Sequence, residues 1–220
     1  MANNLVSIGN IRKKFHKTHE LISTSYHEGA HVIYGLLHLI NIESATVFEN
    51  RRSKRIEGYT EYHSMPIESI QDTDLFNEFL HAEICLSYAG LVAEKRLFKM
   101  ISGSDKFPMF LRDGSSNDIK EAAALFQKYS LAEPGRQRYN YKQTLIKAID
   151  KELQEHWDAI SLISHNLFKK KTLLYSDIKN ILIKKSKNKE FWKKQFKNIE
   201  YIYENDLSLK EKDLKSFIKC

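Results

Sequence analysis

Proline is scarce in this chain. Its three prolines, Pro66, Pro108 and Pro134, sit where the helical periodicity of the apolar residues lapses. Proline inside a helix removes an amide donor and clashes with the preceding turn, so the long spans between these positions are predicted to be mostly helix. Helices are expected from about Thr18 to Ile40, from Thr73 to Met100, and from near Asp118, with Ser115, Ser116 and Asn117 as N-cap candidates. A helical hairpin is expected over Tyr141 to Lys185, its second arm capped by Ser176 or Asp177. The segment "SATVFENRRSKRIEGYTEYH", Ser44 to His63, places β-branched and aromatic residues around a charged turn and is the best candidate for a small sheet. The predicted class is mainly α with a small β-sheet.

A chain of 220 residues with 42% hydrophobic residues can bury a real core, as one domain or one domain with an appendage. Composition changes after Lys184, so the expected division is a main domain over 1–184 and a lysine-rich helical extension over 185–220. Much of the net charge of +7 is lysine in that region, and it reads as a solvated helix face rather than a nucleic-acid site. Trp192, Phe196 and Tyr201 recur there at helical spacing, which points to core packing rather than base stacking. Cys85 and Cys220 form no disulfide framework and suit a reducing compartment, so a cytoplasmic location is expected. The apolar run from Val32 to Ile42 is broken by His38 and Asn41 and is too short to cross a bilayer, so no membrane span is expected.

The stretch "TSYHEGAHVIYGLLH", Thr24 to His38, carries the chemistry. His27 and His31 lie four residues apart, so on a helix both imidazoles project from one face at a separation that one metal ion can bridge. Glu28 follows the first histidine. In this H-E-x-x-H arrangement two neutral histidines bind zinc, and the glutamate handles the proton of a water made acidic by the metal's charge. A glutamine at that position could still allow metal binding yet could not carry the proton. The flanking Ser25, Tyr26, Gly29, Ala30, Val32 and Ile33 are small or apolar, a setting in which an unpaired Glu-His pair is costly to bury. His38 is a decoy for the third ligand. If the helix continues, it stands roughly 10 Å along the axis from His31, too far to share one ion, and it is expected to be packed or solvent-facing.

Three segments bring a family into view. "SYHEGAHVIY", "YAGLVAEKRLF" (Tyr88 to Phe98) and "DGSSNDIKEAAALFQKY" (Asp113 to Tyr129) resemble, in order and rough spacing, three signatures of the peptidase domain of FtsH-type, AAA-linked zinc metallopeptidases: A-Y-H-E-A-G-H, G-G-R-x-A-E-E and T-G-A-S-N-D-[IL]. A weaker likeness continues through "KELQEHWDAISLISHNLFKKKTLLYSDIKNIL". The resemblance covers roughly Thr18 to Ile183 and implies a zincin-like H-E-x-x-H helix joined to a helical bundle. It implies Zn2+ held by His27, His31 and Asp118, with Glu94 supporting the site from behind the ligands and Glu28 as the catalytic base. The strand near Glu57 to Tyr62, in particular Gly58, Tyr59, Thr60 and Glu61, would bind an extended substrate through its edge.

The departures matter as much as the matches. Ala89, Gly90 and Leu91 replace G-G-R, and Asp113 stands where the family has threonine. No G-x-x-x-x-G-K-[ST] loop occurs, so the chain is not expected to spend ATP on unfolding its substrates. The expectation is a zinc metalloendopeptidase acting on unfolded or flexible polypeptide, with room for a separate unfoldase or adaptor and for an oligomer. The alternative is an inactive, metal-stabilised protein-interaction module, against which the intact Glu28 argues, since a structural zinc site needs no base.

Overall fold

The computed structural model describes residues 8–63, 70–104, 116–129 and 136–204. The three prolines, the N-cap candidate Ser115 and Cys220 lie outside the described residues. In chain order the elements are α1 (Ile8–Leu37), β1 (Asn41–Glu49), β2 (Ile56–His63), α2 (Thr73–Ser102), α3 (Ser116–Lys128), α4 (Arg136–Glu155), α5 (Trp157–Lys170), β3 (Thr172–Leu174), α6 (Tyr175–Lys185) and α7 (Lys189–Glu204). The class is mainly α with a small antiparallel sheet, as predicted.

Helix α1 is the axis of the core. It buries Ala30, Val32, Ile33 and Leu36 and packs against α2, α5 and the β1–β2 pair. It starts ten residues before the expected Thr18, and Ile8, Ile11 and Phe15 carry the i, i+3, i+7 spacing of a helix through that segment. It ends before the expected Ile40. Leu39 adopts a left-handed φ of 61°, and the Ile40 amide donates back to the Gly35 carbonyl at 2.8 Å. Gly29 lets α5 approach closely, since a Cβ there would lie 2.4 Å from Ser164 Oγ.

The sheet has strand order β2-β1-β3, which leaves one edge of β2 unpaired among the described residues. β1 and β2 form the predicted hairpin, with Asn41 opposite His63 and Glu49 opposite Ile56. Asn50 Oδ1 accepts from the Arg52 and Ser53 amides and closes the charged turn. Helix α2 begins where the Asp72 carboxylate accepts the Leu75 amide at 3.0 Å and stops at Gly103, whose φ is 67°.

The expected hairpin over Tyr141 to Lys185 is instead three helices and a strand. The helical run breaks at His156, and Lys171, with φ of 71°, turns the chain into β3, which pairs with β1. Neither Ser176 nor Asp177 is the cap. Leu174 holds that place, and the Asp177 carboxylate reaches back to accept its amide at 3.4 Å. A three-residue strand between two helices is too short to show a period of two, so only pairing with β1 reveals it.

Helix α7 places Trp192, Phe196, Ile199 and Ile202 in the same apolar cluster as the rest of the core. No helix among the described residues is long and apolar enough to cross a membrane.

Candidate metal centre

Four elements converge on one point. Helix α1 supplies His27, Glu28 and His31, the first turn of α3 supplies Asp118, α2 passes behind them with Glu94, and β2 crosses in front with Gly58 and Thr60. The donor atoms of His27, His31 and Asp118 all lie within 4.8 Å of one another. Asp118 Oδ2 stands 2.9 Å from His27 Nε2 and 3.7 Å from His31 Nε2. Two ligands of one tetrahedral zinc would stand roughly 3.4 Å apart, given metal–ligand distances near 2.0–2.2 Å. The observed separations bracket that value, so the group could hold a metal ion.

The far side of each imidazole explains why both Nε2 atoms face inward. His31 Nδ1 lies 2.9 Å from the Leu86 carbonyl oxygen. A carbonyl can only accept, so Nδ1 carries a proton, and in the neutral ring Nε2 then keeps the lone pair. For His27 the same role falls to Glu94, whose Oε2 lies 3.5 Å from Nδ1. The other oxygen of Glu94 accepts from Ser23 Oγ at 3.0 Å. Glu94 is only 5% exposed, and its Oε2 has no hydrogen-bond partner among the described residues, His27 Nδ1 being the charged group beside it. A buried carboxylate oxygen so placed is costly unless a donor or positive charge sits beside it.

Charge follows the same logic. Burial alone would lower the His27 pKa, but the Asp118 and Glu94 carboxylates outweigh it and raise it well above the ordinary value. Burial would likewise raise the Asp118 pKa, yet His27 and His31 hold it far below the usual carboxylate range. The pocket is built to stabilise positive charge between the imidazoles and Asp118.

Glu28 is not one of the converging donors. It is 4% exposed, and burial pushes its pKa up despite the nearby histidines and Thr60. Thr60 Oγ1 donates to Glu28 Oε2 at 2.8 Å. Two glycines make room for this arrangement. A Cβ on Gly58 would lie 2.6 Å from Glu28 Oε1, and one on Gly90 would lie 2.4 Å from His27 Nε2. A cleft of about 240 Å³ opens over the group.

Three of the four strand residues predicted to bind substrate stand at the cleft. Gly58, Tyr59 and Thr60 line the cleft. Glu61 does not, since it turns outward and accepts from Ser44 Oγ at 2.6 Å. His38 is packed at the end of α1, its ring stacked on Tyr34 and its Nε2 3.0 Å from Glu152. Sequence reading missed Ser23, the Leu86 carbonyl and Glu121, which lines the cleft. Ser23 could have been found, because it lies one helical turn before His27 on the same face. The Leu86 contact leaves no trace in side-chain identity.

No family model matches this chain, and no curated protein matches it either.

Proposed function

We propose that the protein is a zinc-dependent metalloendopeptidase that hydrolyses peptide bonds in unfolded or flexible segments without an ATPase of its own. The observation that carries this reading is the position of Glu28. A buried carboxylate stands beside a three-donor group and opens on its cleft, yet is excluded from the donor set. A purely structural site has no use for such a group.

His27, His31 and Asp118 would hold the ion, two borderline nitrogen donors and one carboxylate being a set that suits zinc. When bound, zinc supplies positive charge that acidifies water and polarises a peptide carbonyl. Glu28 accepts the water's proton and returns it to the leaving amine, with Thr60 fixing which carboxylate oxygen faces the cleft. Burial raises the Glu28 pKa and so moves this base toward the neutral range in which proton transfer in both directions is efficient. Strand β2 passes the same cleft, and its edge that is unpaired among the described residues can add an extended polypeptide as a further strand, so that main-chain hydrogen bonds carry the affinity. The likeness of three motifs to FtsH-type peptidases supports this reading. A separate unfoldase or adaptor would deliver folded substrates.

The test is Glu28→Gln. Zinc content and thermal stability should stay at the wild-type level while cleavage of casein, an unfolded substrate, falls at least about 10²-fold, the scale of a lost general base. Equal, slow cleavage by both proteins at matched zinc occupancy would leave the interaction module as the better reading.

A further inference from the structure

The positive charge of this chain is concentrated in one place. Lys184 to Lys197 contains seven lysines and one glutamate, and so accounts for six of the chain's net +7. The fold makes this run a corner, because α6 ends at Lys185 and α7 begins at Lys189 after a three-residue turn. All seven lysines are exposed. Trp192, Phe196, Ile199 and Ile202 fasten α7 to the core, which turns Lys193, Lys194 and Lys197 together onto the opposite face. Among the described residues only Lys193 of the seven has an acidic partner, Glu190 at 2.7 Å.

Helix physics accounts for only part of this. Lys184 and Lys185 in the last turn of α6 suit its dipole, but Lys189 at the start of α7 opposes that helix's dipole. Lys189 and Lys193, and again Lys193 and Lys197, are like charges four residues apart, which weakens a helix. An ordinary solvated face would mix signs. The corner also stands clear of the candidate metal centre. Gln195 ties α7 to the carbonyls of Leu36 and Leu37 at the far end of α1, and no residue of α6 or α7 lines the cleft.

We propose that this corner docks the protein reversibly on an anionic membrane surface, the ligand being acidic phospholipid headgroups. Clustered lysines on an amphipathic helix are the pattern such a surface attracts, each contributing about fivefold in affinity near a charged leaflet. Three observations favour lipid over nucleic acid. None of the seven cations is an arginine, so the fork that pairs with phosphate and bases is missing. Of the three aromatics spaced for stacking on bases, Trp192 and Phe196 are each 1% exposed, which leaves Tyr201, at 41%, alone on the surface. Phe191 is 40% exposed among Lys189, Lys193 and Lys194, a single apolar side chain at the level of the lysines, as the headgroup boundary requires.

Co-sedimentation of the full chain with vesicles tests the proposal. Binding is expected to phosphatidylcholine vesicles that contain phosphatidylserine and not to phosphatidylcholine alone, and it should weaken as salt rises. Replacing Lys193, Lys194 and Lys197 together with glutamine should reduce it on the order of 100-fold, with the melting temperature as the check on folding. Lys147→Gln with Lys151→Gln, exposed on α4, should leave it unchanged, and Phe191→Ser should weaken it at every salt concentration. Absence of vesicle binding at low salt overturns the proposal, as does binding that survives the triple substitution. Tighter binding of duplex DNA or single-stranded RNA, with the same lysine dependence, would reassign the corner to nucleic acid.

Discussion

Helix α1 carries two constellations of polar side chains, one around His27 and His31 and the other around Tyr34 and His38, and they come to opposite ends. In the first, both imidazoles point Nε2 at the same carboxylate, and the donor atoms of three residues crowd within 4.8 Å. In the second, the groups meet one another in pairs, although His38 Nε2 completes no hydrogen bond among the described residues. His38 stacks on Tyr34 and meets Glu152 at 3.0 Å, while Cys85 lies 3.8 Å from His81. Burial pushes the Cys85 thiol up to about 12 and the Tyr34 phenol well above its ordinary range, so both keep their protons. The residue types are those of a metal site in both places. Two features separate them: imidazoles one turn apart on a single face, and a carboxylate from another element that stands within 4 Å of both Nε2 atoms, where Glu152 reaches the Nε2 of His38 alone among the described residues.

The largest effect expected from breaking this contrast comes from its ligands. Asp118→Ala should strip zinc from the purified chain, whereas His38→Ala should retain one zinc per chain by atomic absorption. Retention in the first and loss in the second would move the ion to the wrong constellation. Gly90→Ala should come next. The added methyl would lie 2.4 Å from His27 Nε2 and must swing the ring away from Asp118, so zinc affinity in a chelator competition should fall by at least the upper end of the ~10–100-fold that lost supporting contacts cost. Unchanged affinity would mean that the helices part easily at this point.

Glu94→Gln should fall within that ~10–100-fold range, because it removes the charge behind His27 and keeps the shape. A loss as complete as that of Asp118→Ala would make Glu94 a ligand. The smallest effect belongs to the second constellation. Burial alone would raise the Glu152 pKa, but His38 in contact and His156 nearby bring it below 4.5. A carboxylate depressed in the folded state stabilises above its unfolded pKa, and that stability is lost as pH falls through the folded value. Acid unfolding of wild type should therefore be steeper below about pH 4.5 than that of His38→Gln, with zinc content the same in both. Identical acid profiles would show that the ion pair contributes nothing to the fold.

Much of this molecule could be read from its residues. The helices with a clear apolar stripe and the β1–β2 hairpin stand where local pattern places them, and His27, Glu28 and His31 follow from spacing on one helix. Asp118 and Glu94 were reached only by likeness to a family's motifs, because a first-turn aspartate and a mid-helix glutamate look ordinary by themselves. The break at His156, the strand β3 and the Ser23 contact depend on neighbours distant in the chain.

The sequence by itself determined the helical class, the pairing of His27 with His31 and the place of Glu28 beside them, since periodicity and i,i+4 spacing are properties of short segments. Only the tertiary structure decided that Asp118 joins them, that Thr60 holds Glu28 while Glu61 faces away, and that seven lysines form one corner. Those outcomes rest on distances between segments that share no local pattern, and packing of the whole core sets such distances.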